Sequence, residues 1–507
     1  MEIGTVYLIG AGPGDPGLLT IRGADLLGRA DVIVYDALVN QDILSLASTD
    51  AEIIFGGKRS TKHAIPQEEL NQLLVDKAKE GLTIVRLKGG DPYIFGRGSE
   101  EAQELQSAGI PFEIIPGISS FIAAPAYAGI PVTHRDHCSS FTVITGHEKP
   151  DKDESSIDWE NLANETGTRV ILMGVDRIRL ITERLQANGI ADDTPVAMIR
   201  WGTTGRQQTL VGTIIDIASK AKEAHFKAPA VTVIGSVVTL RSQLNWFEKR
   251  PLFGRRVVVT RTRKQASKLS SRLSEFGAEI LEIPTIKIAL PDDKEPLQDA
   301  IIGISNYDWL VFTSPNGVDC FFKWFFEAYD DVRAIGGCQI AAIGPAVSAK
   351  LKNMHLKIDL MPDEYTVTGV TKAFSQGQNI ENQNVCLLRA QVANPDLPKL
   401  LNEMGATVDD IPVYKTVPET KDINGAVASL KEGGAEIITF TSSSTVENFH
   451  SRLDLPKIMK QFDLQAISIG PETTRTLNKF GVDPVLEAVP HNIDGMVDAV
   501  LEVAGNS

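Results

Sequence analysis

Short β-branched apolar runs, each closed by glycine or by a charged residue, recur along the first part of this chain. VYLIG (6–10) leads into the turn AGPGDPG and then into LLTIRGADLLGRA, where Leu and Ala recur at helical spacing. That order predicts strand, tight turn, helix. VIVY (32–35) ends on Asp36, IIF (53–55) runs into Gly56-Gly57-Lys58-Arg59, and IVRL (84–87) runs into Lys88-Gly89-Gly90-Asp91. IPGISS (115–120) adds Ser119 and Ser120, and AGIPVTHR adds Arg135. In a parallel sheet the carboxyl ends of the strands converge on one edge, where ligands bind. Asp36, Lys58, the GGDP loop and the PGISS loop are therefore expected in one crevice. Glycine in the first turn lets backbone N–H groups approach a ligand, although a tight βα connection needs the same residues. The dinucleotide fingerprint is excluded: Asp15 stands where its last glycine belongs, and Pro13 interrupts the turn.

The second half carries one pattern twice. VVVTRTRKQASKLSSRLSEFGAEILEIPTIKI (257–288) aligns without a gap on VCLLRAQVANPDLPKLLNEMGATVDDIPVYKT (385–416), placing Arg261 on Arg389 and Pro284 on Pro412. The same 128-residue offset superposes VFTSPNGVDCF (311–321) on TFTSSSTVENF (439–449), and it slips by two for AIGP (342–345) against SIGP (468–471). A period this long excludes a solenoid. It predicts a duplicated α/β lobe with a cleft between the copies. Thr313-Ser314 and Thr441-Ser442 fall just after strands, where hydroxyls and free backbone N–H groups can receive carboxylates without a cation.

Composition narrows the class. The 507 residues suggest three or four core-sized units, and 43% apolar residues suit soluble globular α/β protein. No apolar run is long enough to span a bilayer, and MEIGTVYLIG lacks the basic start of a secretory signal. The four cysteines are scattered and have no His at ligand spacing, which fits a reducing cytoplasm and no metal site. The net charge of −15 is evenly spread, with 25 basic and 32 acidic residues in 1–250 and 25 and 33 in 251–507. No nucleic-acid footprint exists in either half.

The motif set GAGPGDPGLLT, YDALV, GKR, RLKGGDPYIFGRG, PGISS and AGIPVTHR resembles the uroporphyrinogen-III C-methyltransferase family, and the resemblance continues to APAVTVIGSVV (228–238). It implies the tetrapyrrole-methylase fold of two α/β subdomains (about 1–136 and 137–248), S-adenosylmethionine as methyl donor with S-adenosylhomocysteine as product, no metal, and a homodimer through this half. Pro13, Gly89, Gly90, Asp91, Ile94, Ser119, Ser120, Met173 and Gly202 match the family's cofactor-binding positions. Asp36 matches its proton acceptor and Lys58 its proton donor. Residue chemistry alone also fits Asp36 as a helix N-cap and Lys58 as a partner for a substrate carboxylate. Arg22, Lys88, Arg97, Arg135 and Arg206 are candidate anchors for a polyanionic tetrapyrrole.

VVVTR, VFTSPNGV, AAIGPAVSAKL, VYKT and TFTSSSTV resemble uroporphyrinogen-III synthase, over residues 255–507. This implies a bilobed, internally duplicated α/β fold after a linker at 249–254: lobe one of about 255–286 plus 416–507, lobe two of about 289–412, and a crossover on a strand pair formed by IPTIKI and IPVYKT. Arg261, Thr313, Ser314, Thr441 and Ser442 are the candidate substrate contacts. Tyr414 matches a tyrosine that assists hydroxyl departure, and it equally fits an aromatic packed at the crossover. Together the resemblances imply a bifunctional enzyme. It would cyclise hydroxymethylbilane to uroporphyrinogen III with inversion of ring D, then methylate C2 and C7 to give precorrin-2 for sirohaem, cobalamin or haem d1. The alternative is a methylase acting on another corrinoid, with the duplicated lobes as a ligand-binding module. A Rossmann oxidoreductase is disfavoured by the absence of GxGxxG.

Overall fold

The computed structural model describes residues 3–48, 50–57, 65–147, 157–260, 263–377, 379–420, 422 and 425–505. It consists of two compact units, Met1–Ile283 with Lys421–Ser507, and Pro284–Thr420. Among the described residues no helix is long and apolar enough to cross a membrane.

In the first unit the chain opens with β1 (Val6–Gly10), β2 (Val32–Tyr35), β3 (Glu52–Phe55), β4 (Ile84–Lys88) and β5 (Phe112–Ile115). They form an all-parallel sheet of order β3-β2-β4-β1-β5. Side chains alternate across it as the period-two rule demands. Ile9, Ile33, Val85 and Leu87 join one core, and Val6, Leu8, Val32, Val34 and Ile84 join the other. Both faces are covered, which is why these strands read as unbroken apolar runs. Two buried cations interrupt the central strand β4: Arg86 and Lys88, on the same face as Ile84.

A second sheet follows from β6 (Phe141–Thr145), β7 (Thr168–Leu172), β8 (Pro195–Arg200), β9 (Gln208–Thr213) and β10 (Ala230–Ile234), in the order β6-β7-β10-β8-β9. Only β6 and β7 run parallel; the other pairs are antiparallel. The helix Ser120–Tyr127 packs Ala124 against a core that includes Val170, Leu172, Ala197 and Val231, so it ties the PGISS loop to this sheet.

The stretch after the second sheet includes the linker expected at 249–254. It is packed instead: Phe247 is 3% exposed and Leu252 fully buried, with Leu252 in one core with Val257, Val259 and Met496. The Trp246 indole N–H donates to the Ala126 carbonyl at 3.1 Å. Two apolar anchors in a polar-looking segment were enough to hide this from composition.

The chain next lays down β11 (Arg256–Val259) and β12 (Glu279–Glu282). It then builds the second unit from β13 (Ile286–Ala289), β14 (Trp309–Phe312), β15 (Gln339–Ala342), β16 (Asn384–Ala390) and β17 (Thr407–Pro418), and returns to the first with β18 (Ile437–Phe440), β19 (Gln465–Ser468) and β20 (Leu486–Glu487). The two sheets have orders β12-β11-β18-β19-β20 and β13-β17-β16-β14-β15. The sequence repeat is visible here: β12, β11, β18 and β19 occur in the same order as β17, β16, β14 and β15. The second sheet carries β13 in addition. It pairs antiparallel with β17 from Ile286↔Pro418 to Ala289↔Lys415, so the expected pairing of IPTIKI with IPVYKT is shifted: the two segments meet only at Ile288↔Thr416, and the pair runs on into Val417 and Pro418.

Candidate active sites

Three loops meet at the carboxyl edge of the first sheet. Gly12 and Gly90 exchange backbone hydrogen bonds, with Gly90 N donating to Gly12 O at 2.7 Å and Gly12 N to Gly90 O at 3.2 Å. Gly117, from the loop after β5, lies so near that an added Cβ would stand 2.3 Å from Gly90 O, and one on Gly10 would stand 2.5 Å from the Gly117 Cα. No side chain fits either position. Asp91 fastens the junction: its Oδ2 accepts from Gly117 N at 3.0 Å and its Oδ1 from Tyr93 N at 2.8 Å. Asp91 therefore shapes the loops with a carboxylate whose two oxygens are already occupied.

The turn after β8 closes the same place from the second sheet. Thr203 Oγ1 accepts from Asp15 N at 2.9 Å, and a Cβ on Gly14 would meet the Thr204 methyl at 2.8 Å. Gly202 sits on the helix that begins after Ser119, where a Cβ would meet that of Ala124 at 2.4 Å. Tyr127 of that helix donates to Asp15 Oδ2 at 2.7 Å. Thus Pro13, Gly89, Gly90, Asp91, Ser119, Ser120 and Gly202 lie on loops in mutual contact. Ile94 follows Asp91 and is 40% exposed, and Met173, just after β7, is 50% exposed. Phe95, Arg97, Met173, Trp201 and Thr203 all have positive φ, between 52° and 73°. Left-handed backbone at non-glycine residues is costly, and it concentrates at ligand sites.

Asp36 lies after β2 on the same face of the sheet as Arg86. Its side chain does not cap a helix; Oδ1 accepts from the Arg86 guanidinium at 2.6 Å. Arg86 also reaches Glu101 Oε1 at 3.2 Å, and Lys88 Nζ donates to that oxygen at 2.8 Å. Arg86, Lys88 and Glu101 are 2%, 2% and 1% exposed, while the Asp36 side chain keeps 30% of its surface. Burial, together with the neighbouring Arg86 charge, pushes the Lys88 pKa below the ordinary lysine value. Two cations and two carboxylates balance, and only Asp36 opens outward. Lys88, expected as a substrate anchor, has its ammonium directed to Glu101. Arg22 pairs with Glu113 at 2.7 Å and Arg97 with Glu100 at 2.7 Å, both on the surface, and Arg135 is exposed. Lys58 lies outside the described residues.

Glu101, Asn40, Thr203 and Tyr127 join the site without a motif of their own in the sequence. Asn40 Nδ2 donates to Gly14 O at 2.7 Å and so supports the first turn. A signal for Glu101 did exist, because an arginine inside a buried parallel strand demands a carboxylate on the covering helix.

In the second unit, Tyr414 is 7% exposed, and its hydroxyl lies 3.0 Å from Ser314 Oγ. Ser314 is the N-cap of the helix Pro315–Ala328 and accepts from Gly317 N at 3.0 Å. Thr313 precedes it, half-buried. The equivalent Ser442 caps Ser443–Leu453 and approaches Ser444 Oγ at 3.1 Å, beside half-buried Thr441. The repeat has thus placed a serine at the same strand-to-helix junction twice. Arg261 lies outside the described residues, and its counterpart Arg389 binds the Asp410 carboxylate.

Comparison with known proteins decides the family. Residues 5–218 match the family model for "Tetrapyrrole (Corrin/Porphyrin) Methylases" and residues 267–498 that for "Uroporphyrinogen-III synthase HemD". A "Porphyrin biosynthesis protein HemD" of Ruminiclostridium josui is 38% identical over 508 residues, covering 100% of this chain and 99% of its own. The chain belongs to the tetrapyrrole methylases in its first half and to the uroporphyrinogen-III synthases in its second. The methylase half is 55% identical over 241 residues to an "S-adenosyl-L-methionine-dependent uroporphyrinogen III methyltransferase" of Methanosarcina barkeri, covering 48% of this chain and 94% of that one. A "Uroporphyrinogen-III C-methyltransferase" of Bacillus subtilis is 38% identical over 440 residues, covering 86% of this chain and 89% of its own. This protein therefore joins an S-adenosylmethionine-dependent methyltransferase to a synthase of tetrapyrrole synthesis. Among the described residues no cluster of His, Cys, Asp or Glu is fit to hold a metal ion.

Proposed function

We propose that the synthase half cyclises hydroxymethylbilane to uroporphyrinogen III with inversion of ring D, and that the methylase half methylates that product at C2 and C7 to give precorrin-2. The observation that carries the second step is the meeting of the Gly12, Gly90, Gly117 and Thr203 loops at one sheet edge beside Asp36. The loops fit S-adenosylmethionine. Their glycines let the three loops pack backbone against backbone at the sheet edge, and the exposed side chains of Ile94 and Met173 offer apolar surface. When bound, the cofactor supplies an activated methyl group.

The residues of the chain do the rest. The loops hold the donor and the tetrapyrrole in line, which is where most of the rate advantage of a bimolecular transfer arises. Asp36 accepts the proton that leaves the methylated ring, and Arg86 keeps the carboxylate oriented toward it. We assign Lys58 as the proton donor and Arg22, Arg97 and Arg135 as carboxylate anchors.

In the synthase half, the hydroxyls of Thr313, Ser314, Thr441 and Ser442, with Arg261, receive the substrate's carboxylates. Tyr414, polarised by Ser314, assists departure of the hydroxyl. We place the protein in the cytoplasm, in keeping with its free cysteines at 138, 320, 338 and 386. We also assign it as a homodimer through the methylase half. Residues 1–248 and 255–507 are the two functional domains, joined by 249–254.

The direct test is to supply hydroxymethylbilane and S-adenosylmethionine to the whole chain and follow products by absorbance, mass and chromatographic separation of the type I and type III isomers. Formation of precorrin-2 supports both assignments. Accumulation of the uninverted type I ring, which closes spontaneously, would overturn the synthase assignment.

A further inference from the structure

The turn Trp201–Gln207 has two neighbours. On one side it holds the loop assigned to the cofactor, through the Asp15 N–H on Thr203 Oγ1 at 2.9 Å and the approach of Thr204 to Gly14. On the other it lies against the first lobe of the synthase half. Gly205 O accepts from Gly254 N at 3.0 Å, and a Cβ on Gly205 would stand 2.3 Å from Glu279 N and 2.5 Å from the Ala278 carbonyl carbon. Arg206 stacks on Trp201, its guanidinium carbon 4.0 Å from the ring centroid, and pairs with Glu279 at 3.6 Å. Glu279 is in turn held by Arg256 at 2.9 Å, on the first strand of that lobe.

The turn is strained and is braced from within. Trp201 and Thr203 have φ of 52° and 73°. Thr203 N donates to Gln207 Oε1, and Gln207 Nε2 donates to Glu248 Oε1, each at 2.9 Å. Glu248 sits in the segment leading to the synthase. A strained turn keeps its geometry only while its surroundings over-determine it. Here part of those surroundings belongs to the other enzyme.

We infer that the synthase lobe positions the cofactor turn of the methylase, with Gly205, Arg206 and Glu279 as positioning residues that act on Gly14 and Asp15 through Thr203 and Thr204. This inference rests on the assignment of S-adenosylmethionine to these loops. Occupation of the cofactor loop and docking of the lobe are then linked, and linkage between two sites is reciprocal.

The test uses the full chain and S-adenosylhomocysteine as probe. Its binding is measured by calorimetry, and methyl-transfer KM values are measured separately for S-adenosylmethionine and uroporphyrinogen III. Gly205→Ala should weaken probe binding by about 5- to 30-fold, within the usual range for coupled sites, while the KM for uroporphyrinogen III stays within about twofold. Glu279→Gln lies wholly in the synthase half and should act in the same direction by about threefold to fivefold, toward the lower end of such coupling. It decides the matter if Gly205→Ala does not fold. Unchanged probe binding in a folded variant would overturn the inference, as would equal loss of affinity for both substrates, which marks general loosening. A wild-type chain that binds no probe would instead overturn the cofactor assignment itself, and the inference with it.

Discussion

The strand ends of the methylase half and those of the synthase lobes carry different chemistry. At the first, charge is buried and balanced, with Arg86 and Lys88 set against Asp36 and Glu101 so that one carboxylate faces outward. At the second, capping serines and a tyrosine hydroxyl lie at the strand ends: Ser314 with Tyr414, and Ser442 with Ser444. The difference follows the chemistry. A base must be ionised and aimed, which requires fixed counter-charges nearby. Under the ring inversion we propose for the synthase half, a flexible polyanion has to be folded by many weak contacts in the right places.

The sharpest break in that comparison is at Asp36. Asp36→Ala should slow methyl transfer by roughly 10²–10⁴-fold, the usual contribution of a positioned acid or base, and leave S-adenosylhomocysteine binding and the synthase reaction intact. Steady-state rates for each half-reaction check this. Unchanged methylation would reduce Asp36 to a partner of Arg86.

Next in size is Glu101→Gln. It leaves Arg86 and Lys88 buried with too little negative charge, and breaking a buried pair in this way costs about 3–5 kcal/mol. Denaturant unfolding of the full chain should show the loss in the transition that includes the methylase half. A cost under about 1 kcal/mol, the level of exposed pairs, would mean that water reaches the network.

On the synthase side, Tyr414→Phe should be gentler. Losing the hydrogen bond to Ser314 costs about 0.5–1.5 kcal/mol, which predicts up to about a tenfold fall in turnover if the hydroxyl also acts on the substrate. A stability loss with turnover unchanged would return Tyr414 to its packing role at the crossover.

The smallest effect concerns pH. Asp42 is half-buried near Glu282 and Glu279 of the synthase lobe, and burial, with those two charges, raises its pKa from 3.8 to about 7. A carboxyl whose folded pKa is raised contributes fully below the unfolded value, and the contribution is lost as pH rises from 3.8 through about 7. Asp42→Asn should therefore raise the melting temperature above pH 7 by about 2–4 °C and change it little near pH 4, taking the partly solvated site at about 1 kcal/mol. Thermal melts at the two pH values read this directly.

How legible all this was depends on the range of the interaction. Apolar runs ending in glycine announced the first sheet and its edge, and the ungapped repeat announced two lobes of one strand order. Tyr414 and Ser314 were both singled out, but only the fold brought them to 3.0 Å, 100 residues apart. The bond from Asp15 to Thr203 spans 188 residues, and no local pattern encodes it. Lys88 looked like a surface anchor because sequence gives residue type and not the covering helix, which brings Glu101 beneath it. The 249–254 segment reads as a linker because its burial depends on Leu252 entering a core completed by Met496.

The central claim is that one chain closes the ring and then methylates it. The most direct measurement follows the full chain and its Asp36→Ala variant, each supplied with hydroxymethylbilane and S-adenosylmethionine, over one time course by mass and by chromatography that separates the type I and type III isomers. The account predicts doubly methylated uroporphyrinogen III, heavier by two CH2 units, from the wild type, and unmethylated uroporphyrinogen III of the inverted type III isomer from the variant. Unmethylated type I isomer from both would contradict it.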